Sequence, residues 1–157
     1  LGADGARIYP TVVFRNTRLF DMVRDGSYRP LSREEAVERT AAVLDVFDRA
    51  HIPVLRIGLC ANEGLTGLDT VAAGDYHPAF GELAGGRLYL HRLREALQTF
   101  DEMPTSITVH CRPGGTSMLI GQKRCNAAVL QNEYNVKKIK VIENMEMIGY
   151  NIKVYLS

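Results

Sequence analysis

Residues 118–126 read Met118-Leu119-Ile120-Gly121-Gln122-Lys123-Arg124-Cys125-Asn126, an apolar run that closes on a glycine and then on two cations. Free backbone amides at a helix start attract phosphate, and Lys123 and Arg124 add a point charge and a planar fork. Gly121, Gln122, Lys123 and Arg124 are therefore candidate contacts to a phosphate backbone, with Lys137, Lys138, Lys140 and Lys153 on nearby strands. The competing reading makes these cations the solvated face of a small structural cap. Tyr76-His77-Pro78 followed by Glu82 offers a general acid and base one helical turn apart, against a capping role for a histidine beside a helix start. His51, His91 and His110 have no ligand spacing. Cys60, Cys111 and Cys125 are odd in number and far apart, so they read as reduced thiols and form no local metal motif. Arg56 is expected to pair with a carboxylate inside the fold.

The elements that must carry these residues alternate between strand and helix. Residues 7–14 are rich in β-branched and aromatic types and predict a strand, with Pro10 near its start or at an edge. Thr17 caps a short helix that runs to about residue 24 and ends at Gly26. Ser32 with Glu35 three residues on is a capping box, and Ala36, Val37, Thr40, Val43, Leu44 and Phe47 follow at helical spacing. Residues 52–59 then form a short apolar run that predicts a buried strand, so strand, helix and strand make a parallel βαβ unit. Residues 60–76 predict a loop at the carboxyl end of that strand, where α/β folds place ligands. Residues 78–100 predict a helix broken at Gly85-Gly86, and Pro104 a boundary. The remainder predicts a βαββ unit: a strand at 107–111, a helix at 118–134, and strands at 138–142 and 150–155 separated by a turn near Gly149.

The bulk composition is that of a globular α/β protein. The 157 residues are 46% hydrophobic and 24% charged, with a net charge of +1 that points neither toward nor away from nucleic acid as a whole. No apolar run approaches the roughly 18 residues a membrane span needs. The start lacks a signal-peptide pattern and an initiator Met, as a processed fragment would. A cytoplasmic location is expected.

Four blocks carry a family resemblance: Ile8-Tyr9-Pro10-Thr11-Val12-Val13-Phe14-Arg15-Asn16-Thr17-Arg18-Leu19; Gly26-Ser27-Tyr28-Arg29-Pro30-Leu31 with Glu35-Ala36-Val37; Val54-Leu55-Arg56-Ile57-Gly58-Leu59; and Ala73-Gly74-Asp75-Tyr76-His77-Pro78-Ala79-Phe80-Gly81-Glu82-Leu83. In this order and spacing they resemble bacterial radical S-adenosylmethionine (SAM) proteins similar to the catalytic subunit of Elongator, a group often labelled oxygen-independent coproporphyrinogen III oxidase-like. The resemblance implies an α/β fold: residues 1–76 as the last βα steps of a partial (β/α) barrel, 77–104 as a helical extension, and 105–157 as a small KH-like βαββ unit. It implies that Arg15, Ile57, Gly58 and Leu59 face SAM; Cys60, at a strand end, reads by itself as facing the barrel mouth or as a small buried apolar residue. The CxxxCxxC triplet that anchors a [4Fe–4S] cluster is absent from this sequence, as is a glycine-rich acetyl-coenzyme A loop. SAM and the cluster are therefore expected in a parent protein, and neither in this chain alone.

Around Gly121 the sequence also resembles a KH-type RNA-binding module, whose Ile-Gly-x-x-Gly loop clamps a nucleic-acid backbone. Here Arg124 stands in place of the second glycine. The leading expectation is a radical SAM fragment whose parent acts on tRNA or another nucleic acid. A non-catalytic RNA-binding or barrel-docking module is the alternative; a coproporphyrinogen oxidase-like part rests on labelling habits only. Expected partners are the amino-terminal remainder of the same polypeptide and tRNA or other RNA, with self-association through an open sheet edge.

Overall fold

The computed structural model describes residues 2–59, 70–74 and 76–156. The chain divides into two compact units, Leu1–Gly81 and Glu82–Ser157. It is a mixed α/β protein with small open sheets, and no closed barrel forms among the described residues.

In the first unit β1 (Ala6–Ile8) pairs in parallel with β3 (Val54–Ile57), while β2 (Val13–Phe14) pairs antiparallel with β4 (Val71–Ala73). The single strand expected over residues 7–14 is thus two. Pro10 has no N–H to donate to a ladder, and across it the chain leaves one partner strand for another. Between β1 and β3 run α1 (Arg18–Arg24) and α2 (Arg33–Arg49), the parallel βαβ connection the pattern predicts, with α2 lying against both strands. Both caps form as expected. Thr17 Oγ1 accepts the Phe20 N–H at 3.2 Å, and Ser32 and Glu35 close a reciprocal capping box. Arg29 grips the Glu35 carboxylate through two bonds of 3.0 and 2.6 Å.

The core of this unit is Ile8, Val13, Ala36, Val37, Thr40, Ala41, Leu44 and Phe80. The strand at β3 is not buried as expected: Leu55 is 67% exposed. The described residues of this unit put one helix layer, α2, on a two-stranded sheet, which leaves Leu55 largely uncovered among them. Arg56, the next residue, is exposed as well, and it has no carboxylate partner among the described residues. Part of the 60–76 loop is strand β4, and residues 60–69, with Cys60, lie outside the described residues.

Helix α3 (Phe80–Leu97) continues unbroken through Gly85-Gly86, contrary to the expected kink. Those glycines serve close approach. A methyl group at Gly85 would collide with Met118 Sδ and lie 2.8 Å from Tyr150 Oη. One at Gly86 would lie 3.2 Å from the Met118 carbonyl oxygen.

The second unit continues with β5 (Ser106–Cys111), α4 (Thr116–Ile120), a 3-10 turn (Gln122–Arg124), α5 (Cys125–Tyr134), β6 (Lys138–Glu143) and β7 (Lys153–Leu156). The sheet order is β6-β5-β7, with β6 parallel and β7 antiparallel to β5. Ile107, Val109 and Cys111 alternate inward along β5 and meet Tyr89, Leu90, Leu93 and Leu97 of α3, Leu119 of α4 and Leu130 of α5. Arg94 of α3 and Glu133 of α5 add a bidentate pair at 2.9 and 2.6 Å. No helix among the described residues is long and apolar enough to cross a membrane.

Candidate phosphate-binding turn and strand-end hollow

The helix expected over 118–134 is interrupted at the residues singled out for phosphate contact. Gly121 adopts φ 81° and ψ 156°, and Lys123 and Arg124 both stand in the left-handed region, at φ 51° and 62°. Non-glycine residues there cost about 1–2 kcal/mol each, so packing must hold them. The bond from Arg124 N–H to the Gly121 carbonyl, at 2.9 Å, closes the turn, and Cys125 N–H returns to the Gln122 carbonyl. The Arg124 amide is therefore occupied, and any contact by this residue belongs to its guanidinium.

Gln122, Lys123 and Arg124 are exposed. A methyl group at Gly121 would lie 2.6 Å from Cys125 Sγ and 3.0 Å from Asn126 Cγ, so only glycine brings α4 this close to α5. Asn126 fixes the turn from below. It is 5% exposed, and its Nδ2 donates to the Gly86 carbonyl at 2.8 Å and the Leu119 carbonyl at 3.0 Å. Sequence reasoning quoted Asn126 and gave it no task. The signal was an amide side chain at a helix start beside small residues. At the other end of α4, Glu143 accepts from the Gly114 N–H and the Thr116 hydroxyl, which hold its carboxyl below the usual range.

In the first unit, Gly58 and Leu59 follow the end of β3 and line a hollow of about 10 Å³ with Pro10, Val12, Tyr76, His77 and Phe80. This is room for about one water. Pro10 follows the end of β1, so the hollow sits at the carboxyl ends of the two parallel strands, as α/β folds favour. Gly58 has φ 78°, and its α-carbon faces Phe80 closely. The Tyr76 Oη is buried with no hydrogen-bond partner among the described residues. A buried hydroxyl left so costs about 1–3 kcal/mol, which makes Tyr76 a ligand-facing candidate that the sequence string contained without marking.

The other expected site residues are placed elsewhere. Arg15 holds its guanidinium 5.9 Å over the Phe20 ring, and its N–H bonds the Thr70 carbonyl. Ile57 ends β3 half-buried, beneath Gly81. His77 Nδ1 accepts the Ala79 N–H at 3.1 Å, a capping contact just before α3, while Glu82 lies in the first turn of that helix. Cys111 is buried, which pushes its thiol pKa up, and Cys125 is exposed. No group of three His, Cys, Asp or Glu is placed to hold a metal ion among the described residues.

Residues 3–90 match the model of the Radical_SAM C-terminal domain. No curated protein and no solved structure matches the chain significantly.

Proposed function

Because the chain belongs to the radical SAM C-terminal domain family, we propose that it is the distal part of a radical SAM iron–sulfur enzyme whose parent acts on tRNA or another nucleic acid. The observation that carries the nucleic-acid reading is the turn at 121–124. Two adjacent cations there stand in costly left-handed backbone, in a turn closed by the Arg124 N–H on the Gly121 carbonyl, and their side chains face solvent. A helix, a glycine turn and a helix between two parallel neighbouring strands support the KH-like description of this unit, and a phosphate would meet Lys123 and Arg124.

Radical chemistry is what SAM and a [4Fe–4S] cluster supply when both are bound. The strand-end hollow is too small to hold SAM: it borders Gly58 and Leu59 and carries a Tyr76 hydroxyl that is unpartnered among the described residues, and its volume admits about a water, so it would meet an edge of the cofactor at most. Phe80 packs against Gly58 where a side chain would otherwise stand, Tyr76 would donate to a ligand edge, and Pro10, Val12 and Phe80 exclude water around it. Cluster ligands are assigned to the amino-terminal remainder of the same polypeptide.

The test is tRNA binding by the purified chain across a salt series. Binding that weakens steeply with salt, and that Lys123→Ala with Arg124→Ala abolishes, is the expected result. Undiminished affinity in that double variant would overturn the phosphate-clamp reading.

A further inference from the structure

The three-stranded sheet has a second face. Ile107, Val109 and Cys111 point to the helices, so Ser106, Thr108 and His110 point the other way. Register places Lys138 beside Ser106, Lys140 beside Thr108, Tyr155 on the other side of Thr108, and Lys153 beside His110. Side chains opposite one another in adjacent strands share a face, so one surface gathers three lysines, two hydroxyls and an aromatic pair. The His110 and Tyr155 rings stand 4.9 Å apart, tilted by 57°. Tyr155 is 46% exposed, and Lys138, Lys140 and Lys153 are all exposed. None of the three lysines pairs with a carboxylate among the described residues. The register puts no Asp or Glu on this face, since Glu143 falls opposite Cys111 on the helix side.

We propose that this open face of β6, β5 and β7 is a docking platform for single-stranded RNA. Phosphates meet Lys138, Lys140 and Lys153, and one base stacks on the Tyr155 ring, which His110 braces from the side. An exposed ring with cations two strands away is how sequence-tolerant single-strand binders combine stacking with charge. The composition disfavours a protein partner, because lysine is depleted where proteins bury surface against each other. Ser106 and Thr108 along the central strand supply hydroxyls of the kind that meets a ribose 2′-OH. The proposal extends the nucleic-acid reading to a second surface and shares with the turn at 121–124 only the class of ligand.

Fluorescence anisotropy with a labelled oligouridylate and the matching oligothymidylate tests it on the whole chain. Tyr155→Ala is expected to weaken oligouridylate binding about tenfold, and Tyr155→Phe to leave it unchanged. Lys138→Ala with Lys140→Ala should flatten the slope of log K against log salt by about 1.4. Circular dichroism melts establish that each variant is folded. If Tyr155→Ala and the double lysine variant bind like the parent while Lys123→Ala with Arg124→Ala does not, the sheet proposal is overturned and the turn stands. Loss in those two sheet variants alone supports the platform and overturns the turn. Equal affinity for both oligomers overturns the assignment to RNA. A sedimenting dimer that Tyr155→Ala dissociates, with no RNA bound, makes the face a protein interface and also overturns the proposal.

Discussion

Lys123 illustrates how a single residue can be set against its own stability. At φ 51° glycine is preferred on backbone grounds, so Lys123→Gly is expected to stabilise the fold by about 0.5–1 kcal/mol while weakening tRNA binding. Chemical denaturation beside an affinity titration reads both signs, and a variant that loses stability and keeps affinity contradicts the clamp. Asn126→Ala leaves the Gly86 and Leu119 carbonyls without their donor and should cost about 2–3 kcal/mol, seen as a lower denaturation midpoint at unchanged slope. Glu35 carries a pH signature. Its grip on Arg29 and the Ser32 amide holds its pKa down to about 2 from the ordinary 4.5 of a glutamate. A depressed carboxylate stabilises the fold above its unfolded pKa. That contribution fades as pH falls from the unfolded value toward about 2. Acid unfolding followed by circular dichroism should show this loss in the parent chain, and Glu35→Gln should remove that part of the dependence.

At the scale of elements, the helix at α3 reverses a propensity rule. Alanine at Gly85 should gain about 1 kcal/mol in an isolated helix. Here its methyl group has no room between Met118 and Tyr150. Gly85→Ala is therefore expected to destabilise by about 1–3 kcal/mol, measured by urea unfolding. A stabilised variant would show that these neighbours yield. Helix starts were legible because their signal is local: Thr17, Ser32 and Glu35 make the bonds their types and spacing predict. The unbroken passage through Gly85-Gly86 was not, because its cause lies on α4 and beyond β6, some thirty and more residues away. Pro10 marked the weak point of the first strand, but the change of partner from β3 to β4 is a tertiary choice no local pattern carries. Likewise Gly121 flagged the interruption between α4 and α5, while the bond by which Asn126 reaches across to Gly86 joins residues forty apart and has no local signal.

For the whole molecule, membership of the radical SAM C-terminal domain family rests on residues 3–90, and the sequence blocks that carried the resemblance fall in that stretch. Of the four positions it implied for SAM, Gly58 and Leu59 line the strand-end hollow and Arg15 turns to Phe20. Strand-end backbone is placed by the parallel register, which the pattern predicts; a long side chain is placed by whatever ring lies nearby. With no CxxxCxxC triplet in the chain, anaerobic reconstitution with iron and sulfide should produce no cluster absorption, and SAM with a strong reductant no 5′-deoxyadenosine. Appearance of either would relocate the chemistry to this chain. The tight seat at Gly85 has a last consequence in time. Two adjacent glycines leave α3 a poor helix by itself, and both neighbours that fill the space, Met118 and Tyr150, are synthesised later. During translation the close seat at Gly85 stays incomplete until Tyr150 has left the ribosome. Its contacts should then form on the native side of the folding barrier, so Gly85→Ala would speed unfolding while leaving the folding rate almost unchanged.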